Sequence, residues 1–240
     1  MDKSNNALVL LSGGQDSTTC LFWAIDPLRK FDNVYALNIF YGQRHISEIE
    51  SAKAVASMAE IDLFEIDASQ IFKVLGNSAL LEADTDISKQ HPSDENLPAS
   101  FVPGRNIMFL TIAAAWAFNH NVSNIITGVC QTDYSGYPDC RDNTIKSLQV
   151  TLSLGMGKDF VIHTPLMFLT KEETVWLAQD LGPESNCWEA LGYSHTCYNN
   201  QIPPCGECPA CKLRDKGFSE AGFKDPLIER LQNEQDEGVF

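Results

Sequence analysis

Short apolar segments alternate with longer segments whose apolar residues recur every three or four positions. The short segments predict strands at 7–11, 33–40, 62–66, 123–129 and 159–166. The longer segments predict helices at 17–29, 45–61, 106–120, 142–156 and 170–182. The last helix begins with a capping box of Thr170 and Glu173 and is expected to end at Gly182. This alternation predicts an α/β fold with a parallel sheet covered by helices on both faces.

Two parts of the chain depart from the alternation. Residues 75–104 show no periodicity and carry scattered Gly, Pro, Ser and Asp, which predicts a loop that is either functional or disordered. From residue 183 onwards the strand–helix pattern stops and cysteines cluster. We therefore expect an α/β domain at 1–182 and a small C-terminal helical lobe at 183–240.

Composition narrows the class of substrate. The chain has 240 residues, of which 44% are apolar, and a formal net charge of −15. Proteins that grip nucleic acid backbones usually carry the opposite charge, so this balance favours a small-molecule substrate over direct nucleic acid binding. The N-terminal apolar run of five residues is too short for a signal peptide, and no segment approaches the length of a membrane span. We expect a soluble cytoplasmic protein.

The first predicted strand runs directly into "LSGGQDS" at residues 11–17, where the first helix begins. The free N–H groups and the positive dipole end of a helix N-terminus favour an anion. Gly13 and Gly14 let the backbone approach that anion. Hydroxyl donors follow on Ser12, Ser17 and Thr18. The stretch therefore predicts a phosphate-binding turn.

Asp16 is out of place beside bare phosphate unless it holds a divalent cation that bridges the phosphates. The turn contains neither G-x-x-x-x-G-K-[ST] nor G-x-G-x-x-G. Because the lysine that contacts the β- and γ-phosphates is missing, transfer of the γ-phosphoryl group is disfavoured. The residues alone also allow a second interpretation, in which Ser-Gly-Gly is only a tight turn between strand and helix.

The hexapeptide "SGGQDS" resembles the SGGxDS motif of the PP-loop ATP pyrophosphatases. This resemblance implies an adenine-nucleotide α-hydrolase-like fold, which is Rossmann-like, and a nucleotide-binding role for 1–182. It also implies that ATP with Mg²⁺ adenylates a substrate oxygen, that pyrophosphate leaves, and that a nucleophile displaces AMP. The residues that it assigns to ATP are Leu11, Ser12, Gly13, Gly14, Gln15, Asp16, Ser17, Thr18, Thr19, Cys20 and Leu21.

Six stretches along nearly the whole chain resemble the 7-cyano-7-deazaguanine synthase family of the queuosine pathway. They are "LSGGQDSTTCLFWA", "YGQRH", "FVPGRN", "TGVCQTDYSGYPDCRD", "TPLMFLTKEET" and "SHTCYNN…CGECPACKLR". The resemblance implies a ligase that forms C–N bonds, turning 7-carboxy-7-deazaguanine and ammonia into a nitrile, and it suggests a homodimer. Removal of both carboxylate oxygens implies that each is adenylated in turn, so each turnover uses two ATP and yields two AMP and two pyrophosphates.

The segment "TDYSGYPDCRD" (132–142) follows the fourth strand and is expected at the ligand edge of the sheet. Carboxylates suit the N–H donors of a guanine-like edge, an aromatic ring suits a purine face, and an arginine suits a carboxylate or phosphate. With the resemblance, the predicted substrate contacts are Asp133, Tyr137, Asp139 and Arg141. From the residues alone, a solvated, turn-rich loop is slightly favoured.

Two cations stand in the first turn of predicted helices, where they oppose the helix dipole. Arg105 opens the helix at 106–120, and Lys171 follows the cap of the helix at 170–182. This placement suggests contact with phosphate, so the predicted catalytic residues are Asp16, Arg105 and Lys171. Arg44 and His45 follow the second strand near the expected adenosine, although a lone histidine is more often structural.

Four of the eight cysteines crowd together as Cys197, Cys205, Cys208 and Cys211. In a chain without a secretion signal, such a cluster is more typical of a metal site than of disulfides. Four thiolates close a tetrahedral Zn²⁺ shell, so we predict one structural zinc per chain. An iron–sulfur cluster is the competing interpretation, since it also takes four cysteines. The cysteines predicted not to be ligands are Cys20, Cys130, Cys140 and Cys187.

Two other functional classes remain open at this point. A PP-loop enzyme that thiolates tRNA would use cysteines as sulfur carriers, which the −15 charge and a cluster closed on metal oppose. A zinc-knuckle interaction module with an inactive nucleotide fold is opposed by the intact Ser-Gly-Gly-x-Asp-Ser sequence. The dependence of ATP consumption on 7-carboxy-7-deazaguanine separates the three classes.

Overall fold

The computed structural model describes residues 5–43, 46–75, 80, 90–91, 94–132 and 137–236. The strands are β1 (Ala7–Leu10), β2 (Val34–Phe40), β3 (Leu63–Asp67), β4 (Gln90–His91), β5 (Asp94–Pro98), β6 (Asn124–Ile126) and β7 (Val161–His163). The helices are α1 (Gln15–Ile25), α2 (Ile46–Met58), α3 (Ser69–Leu75), α4 (Arg105–Asn119), α5 (Asp142–Met156), α6 (Lys171–Ser185), α7 (Cys187–Leu191), α8 (Pro209–Ala221) and α9 (Pro226–Asp236). In the described part of the chain, no helix has both the length and the apolar character needed to cross a membrane.

Five strands form one parallel sheet in the order β3-β2-β1-β6-β7. The central strand is β1, in which Leu8 is in register with Tyr35 of β2 on one side and Ile125 of β6 on the other. The chain leaves β1 towards β2 and later returns to β6 on the opposite side. A crevice therefore opens beyond the carboxyl ends of β1 and β6. The predicted α/β fold with a parallel sheet is confirmed.

The sheet divides the core into two layers because successive side chains of a strand point to opposite faces. Leu8 packs on the face covered by α3, α4 and α5, where Phe72 and Leu110 are buried. Ala7 and Val9 pack on the face covered by α1, α2 and the helices from α6 to α8. Burial on both faces explains why β1 reads as a continuous apolar run in the sequence.

The predicted bounds of α1 are wrong at both ends. The helix begins at Gln15 rather than at residue 17, so the Ser-Gly-Gly turn is tighter than expected. It ends at Ile25 rather than at residue 29, because Pro27 opens a separate 3₁₀ turn, Pro27–Arg29. A second 3₁₀ turn, Pro138–Cys140, precedes α5, whose bounds agree with the prediction.

The predicted end of α6 at Gly182 is also wrong. The helix continues to Ser185, and Asn186 takes the left-handed cap position with a φ of 62°. Gly182 lies against Trp188 instead, since a Cβ at this position would come within 3.0 Å of the Trp188 Cβ. The proposed boundary between 182 and 183 falls inside α6, and the division into two units stays a prediction.

The segment 75–104 is not wholly without secondary structure. It contains the antiparallel pair β4 and β5, so the prediction of a loop is wrong for 90–91 and 94–98. In β5 the backbone N–H of Asn96 donates to the Asp94 carboxylate at 2.9 Å. Because β5 is polar and rich in residues typical of turns, it lacks the alternation of apolar and polar residues that predicts a strand. Residues 76–79, 81–89 and 92–93 lie outside the described part of the chain.

The C-terminal helices pack onto α6 and reach the loop after β1. The backbone N–H of His195 donates to the carbonyl oxygen of Gly13 at 2.9 Å. Within the lobe, the buried guanidinium of Arg214 donates to the two Asp225 carboxylate oxygens at 2.6 and 2.8 Å. It also donates to the Ser194 hydroxyl at 2.8 Å. The His195 bond attaches the C-terminal lobe to the loop that faces the sheet edge, and the Arg214 bonds join parts of the lobe to one another.

The four clustered cysteines meet at the start of α8, with their sulfur atoms within 4.8 Å of one another. A tetrahedral site with Zn–S bonds of about 2.3 Å holds its sulfurs about 3.8 Å apart, so the spacing fits a single ion. In a [4Fe–4S] cluster each cysteine binds a different iron, which holds the thiolates further apart. The spacing therefore favours zinc over an iron–sulfur cluster, and the residues that would bind it are Cys197, Cys205, Cys208 and Cys211. The cysteines outside it are Cys20, Cys130, Cys140 and Cys187.

Backbone N–H groups point at the sulfurs of the cluster. The N–H groups of Cys205, Cys208 and Cys211 donate to the sulfurs of Cys197, Cys205 and Cys208 at 3.5, 3.4 and 3.4 Å. Burial on its own would raise the pKa of the Cys205 thiol, but the donors from Cys208 and Glu207 lower it to about 6. The thiolate is the form that binds metal, so Cys205 is prepared for a cation, whereas burial raises the pKa of the Cys208 and Cys211 thiols.

Replacing Cys208 by serine is expected to remove the zinc and unfold the C-terminal lobe. Structural zinc contributes roughly 10 kcal/mol or more in small metal-dependent folds, which rivals the whole stability of an ordinary domain. Elemental analysis should find one zinc per chain in the parent and none in Cys208→Ser, whose C-terminal helices should be cleaved faster by protease.

Cys187→Ala is the matched control, because Cys187 is a buried thiol outside the cluster. This variant should retain its zinc. A folded, zinc-free Cys208→Ser protein with full activity would contradict a structural role for the metal. An iron–sulfur absorption band in the anaerobically purified parent would show that the cysteines bind an iron–sulfur cluster and that the assignment of zinc is wrong.

Candidate active site

A cavity of about 300 Å³ opens at the carboxyl edge of the sheet. The ends of β1 and β2 and the loop after β6 form its floor, at the crevice that the strand order creates. Helices α1, α4 and α6 begin at its wall with Gln15, Arg105 and Lys171. Thr196 and Tyr198 of the C-terminal lobe complete the wall. Segments distant in sequence thus meet around one space.

The loop after β1 passes so close to α2 that only glycine fits at position 13. Gly13 has a φ of +91°, which L-residues with a side chain rarely adopt. A Cβ there would lie 2.3 Å from the carbonyl oxygen of Glu48 and 2.7 Å from the backbone nitrogen of Ala52. This packing fixes the path of the backbone where Gly14 faces the cavity.

The hydroxyl groups of this loop bond largely to the loop itself. The Ser17 hydroxyl donates to the Gly14 carbonyl oxygen at 3.1 Å and lies 3.0 Å from the Ser12 hydroxyl. Ser12 is exposed and lines the cavity, so its hydroxyl is the one presented to a ligand. The predicted ATP-binding residues that line the cavity are Leu11, Ser12, Gly14, Gln15, Asp16 and Ser17. Those buried behind them are Gly13, Thr18, Thr19, Cys20 and Leu21. The assignment of both groups to ATP stays a prediction.

Asp16 and Lys171 form a short ion pair at the cavity wall. The Lys171 Nζ lies 2.7 and 2.6 Å from the two carboxylate oxygens of Asp16. The Lys171 side chain is 9% exposed and that of Asp16 is 31% exposed, so their attraction is screened less than on an open surface. A Cβ at Gly128 would lie 3.1 Å from the Asp16 carbonyl carbon, and one at Gly217 would lie 2.9 Å from the Lys171 Cβ. Glycine at both positions permits this close approach.

Arg105, the second predicted cation, lies between two tyrosine rings. Its Cζ is 5.7 Å from the ring centroids of both Tyr41 and Tyr137. Its Nη1 also donates to the Tyr41 hydroxyl at 3.4 Å. The Tyr137 hydroxyl lies 2.6 Å from that of Ser100, which orients the second ring. Cation–π contacts and the hydrogen bond together hold the guanidinium at the cavity wall.

Glu48 places a second carboxylate on the cavity wall. Burial raises the pKa of Glu48 to about 7, although the Arg105 charge and a hydrogen bond from Gln43 act in the opposite direction. Near neutral pH this carboxyl therefore exists in both protonation states. Sequence reasoning missed it, and the only signal was its position shortly after "YGQRH". Tyr41 and Tyr198 were missed as well, because only packing brings them to the cavity.

The predicted substrate contacts do not all reach the cavity. Tyr137 lines it. Asp139 is buried, and its Oδ2 accepts from the Asn106 backbone N–H at 2.9 Å, which caps α4 in the absence of a local side-chain cap. The Asp139 Oδ1 has no partner among the described residues. Arg141 is exposed at the start of α5 and does not line the cavity. The residues outside the described part are Asp133, Arg44 and His45.

Positive groups converge on this cavity although the chain is acidic. Each helix N-terminus at the wall carries roughly half a positive charge. Arg105 adds a formal charge, whereas Lys171 and Arg214, which also line the cavity, are paired with the carboxylates of Asp16 and Asp225. Such a wall suits the phosphates of a nucleotide, and the rings of Phe109 and Tyr198 suit a planar heterocycle. The lining thus offers contacts both for an anion and for a planar ring.

Solved structures that resemble the chain are distant. The NMN synthetase of Francisella tularensis superposes with a TM-score of 0.49 at 13% identity, covering 98% of this chain and 85% of that one. The NH3-dependent NAD synthetase of Campylobacter jejuni gives a TM-score of 0.45 at 17% identity, covering 100% and 87%. Similarity at this level supports no statement about activity.

Sequence relatives are far closer. The chain is 52% identical over 232 residues to the 7-cyano-7-deazaguanine synthase of Chromobacterium violaceum, covering 95% of each protein. It is 47% identical over 223 residues to the 7-cyano-7-deazaguanine synthase of Bacillus subtilis, covering 91% of this chain and 95% of that one. The profile of the family described as "Queuosine biosynthesis protein QueC" matches residues 6–222. The chain therefore belongs to the QueC family.

Proposed function

We propose that the chain converts 7-carboxy-7-deazaguanine and ammonia to 7-cyano-7-deazaguanine with ATP, as a step of queuosine biosynthesis. The observation that carries the proposal is the meeting of the SGGQDS loop, the Asp16–Lys171 pair and the Arg105–tyrosine wall around one cavity. The 7-cyano-7-deazaguanine synthase of Chromobacterium violaceum, which is 52% identical to the chain over 95% of each protein, supports the same activity.

The proposed reaction requires activation of the two carboxylate oxygens of the substrate, and it does not require a nucleophilic side chain. Carboxylate and amide oxygens are poor leaving groups, so each must be adenylated before it can depart as part of AMP. Ammonia displaces the first, and the second is expelled when the amide nitrogen loses its protons and forms the nitrile. The proposed role of Ser12, Gly14 and the N-terminus of α1 is to bind the pyrophosphate portion of ATP. Arg105 and Lys171 then stabilise the charge that develops as pyrophosphate leaves. Positioning of the reactants supplies the rest of the catalysis.

Mg²⁺ is proposed to bind together with ATP, as part of the substrate. Asp16 is its proposed protein ligand, because Mg²⁺ is usually held by one or two carboxylates together with phosphate oxygens. The 31% exposure of the Asp16 side chain supports this role, since its carboxylate is accessible although it is paired with Lys171. Lys171 would then stand beside the same phosphates.

The deazaguanine ring is proposed to stack on Tyr137, whose ring lines the cavity. Asp139 is the proposed acceptor for the N–H edge of the ring. Its Oδ1 bonds to no described residue, but it is buried and outside the cavity lining, so this contact requires a local rearrangement on binding. Asp133 is proposed to share this role. Arg141 is proposed to pair with the substrate carboxylate or a phosphate, which its exposed position allows only if the ligand extends beyond the cavity.

The proposed finer properties concern location and partners. We propose that the protein lies in the cytoplasm. We also propose that it does not bind nucleic acid directly, since its net charge of −15 opposes contact with a phosphate backbone. The substrates would then be the small molecules 7-carboxy-7-deazaguanine, ammonia and ATP.

A homodimer is proposed as the assembled form. Its support is the exposed apolar surface of α5, where Val150 and Leu154 lie one turn apart and are 56% and 80% exposed. Light scattering of the purified protein should give twice the mass of the 26.6 kDa chain. A Leu154→Glu variant should shift towards the monomer. A parent that is monomeric at micromolar concentration would contradict the proposal.

The stoichiometry of products tests the proposed reaction. Each nitrile should be accompanied by one AMP and one pyrophosphate for each carboxylate oxygen removed, and by no ADP. Nucleotide chromatography and a pyrophosphate assay, with 7-carboxy-7-deazaguanine limiting, give the ratio. Leaving out ammonia is the control and should prevent steady accumulation of AMP. Formation of ADP and phosphate, or ATP consumption that ignores the deazaguanine acid, would overturn the proposal.

A further inference from the structure

The proposed reaction must remove protons from nitrogen inside the cavity. Ammonia is present at neutral pH mainly as ammonium, whose nitrogen has no lone pair with which to attack carbon. The nitrogen must therefore give up a proton before the C–N bond can form. A group on the cavity wall that accepts this proton would make the abundant ammonium ion usable.

Few groups around the cavity can act as that acceptor. The acids that line it in the described part of the chain are Asp16 and Glu48, and no histidine is found there. Asp16 is already paired with Lys171 at 2.6 Å. Burial raises the pKa of Tyr41 to about 12, so this phenol keeps its proton at neutral pH. Glu48 is therefore the best placed base in the cavity.

The surroundings of Glu48 favour binding of ammonium and its loss of a proton. The groups that face Glu48 are Arg105 from α4, Gln43 and Tyr41 after β2, and Tyr198 from the C-terminal lobe. The tyrosine rings attract a cation. Arg105 disfavours a second positive charge nearby, which promotes proton loss from ammonium. A pKa of about 7 matches Glu48 to proton transfer at neutral pH.

We propose that Glu48 is the catalytic base that converts ammonium to ammonia beside the adenylated substrate, an inference that rests on the proposed function. The Glu48 carboxylate takes one proton from ammonium, giving a carboxylic acid and ammonia. The ammonia lone pair forms the C–N bond, the C–O bond breaks with its electron pair leaving on AMP, and a second proton passes from nitrogen to water. Glu48 returns its own proton to water before the next cycle.

Glu48→Gln keeps the shape of the side chain and removes the base. Exchange of labelled pyrophosphate into ATP in the presence of 7-carboxy-7-deazaguanine reports adenylation alone and should stay within about twofold of the parent. Turnover with ammonium should fall by about 100-fold or more, the usual contribution of a general base. Hydroxylamine is already a neutral amine at neutral pH, so formation of the hydroxamate should be retained.

The pH profile supplies a second readout. In the parent, kcat/KM for total ammonia should rise up to about pH 7 and then level off, because Glu48 is ionised above its pKa. Glu48→Gln can use only free ammonia, so its kcat/KM should continue to rise towards the much higher pKa of ammonium. A parent profile that shows no such plateau would overturn the inference.

Glu50→Gln is the matched control, since Glu50 lies on the same helix, is exposed, and places its Oε1 3.7 Å from the Lys53 Nζ. It should behave as the parent. If Glu48→Gln cannot be purified in folded form, Glu48→Asp is the alternative, because it keeps the carboxyl group on a side chain that is one methylene shorter. Its turnover with ammonium should be reduced, and its pyrophosphate exchange should equal that of the parent.

The remaining outcomes distinguish failure of the Glu48 inference from failure of the proposed function. Loss of exchange in parallel with turnover would mean that Glu48 holds the substrate, and unchanged turnover with ammonium would mean that it is not the base. Either result overturns the inference and leaves the proposed function intact. Absence of exchange in the parent would refute the proposed function itself.

Discussion

The ion pair between Asp16 and Lys171 joins parts of the chain that are 155 residues apart. Asp16 stands in the first turn of α1 and Lys171 at the first position of α6. A lysine at a helix N-terminus opposes the helix dipole, and a nearly buried ammonium without a partner is strongly unfavourable. Asp16 is that partner, so it keeps a positive charge beside the loop after β1. Because α7 and α8 pack on α6, the position of the C-terminal lobe depends on the same contact.

The parallel sheet explains how an acidic chain presents a positive site. Every helix that follows a strand of such a sheet begins at the carboxyl edge, so its positive end faces the crevice. The charge of −15 is spread over the molecule, whereas Arg105, Lys171 and Arg214 stand at the cavity. The cysteine cluster has a complementary role, because a metal held there would join the start of α8 to Cys197, two residues after the His195 whose N–H donates to Gly13. Metal, sheet and ion pair thus fix different walls of one cavity.

The sequence predicted those features that depend on local pattern. Alternating periodicity predicted the sheet and α5, and cysteine spacing predicted the four thiols that cluster at the start of α8. Features that depend on packing could not be predicted. Glu48, Tyr41 and Tyr198 come from separate segments and meet only in the folded chain. The capping of α4 by Asp139 links residues 33 positions apart, and the end of α6 is decided by Asn186 together with the contact between Gly182 and α7.

The central claim is that Asp16 and Lys171 act as one unit on the phosphates of ATP. A double-mutant cycle on substrate-dependent pyrophosphate exchange tests this most directly, with Asp16→Asn, Lys171→Met and the double variant. Each single variant should lose about 100-fold or more, and the double variant should be no worse than either single one, because residues that act together are not additive. Fully additive losses, or near-parent exchange in a folded Asp16→Asn protein, would contradict the account.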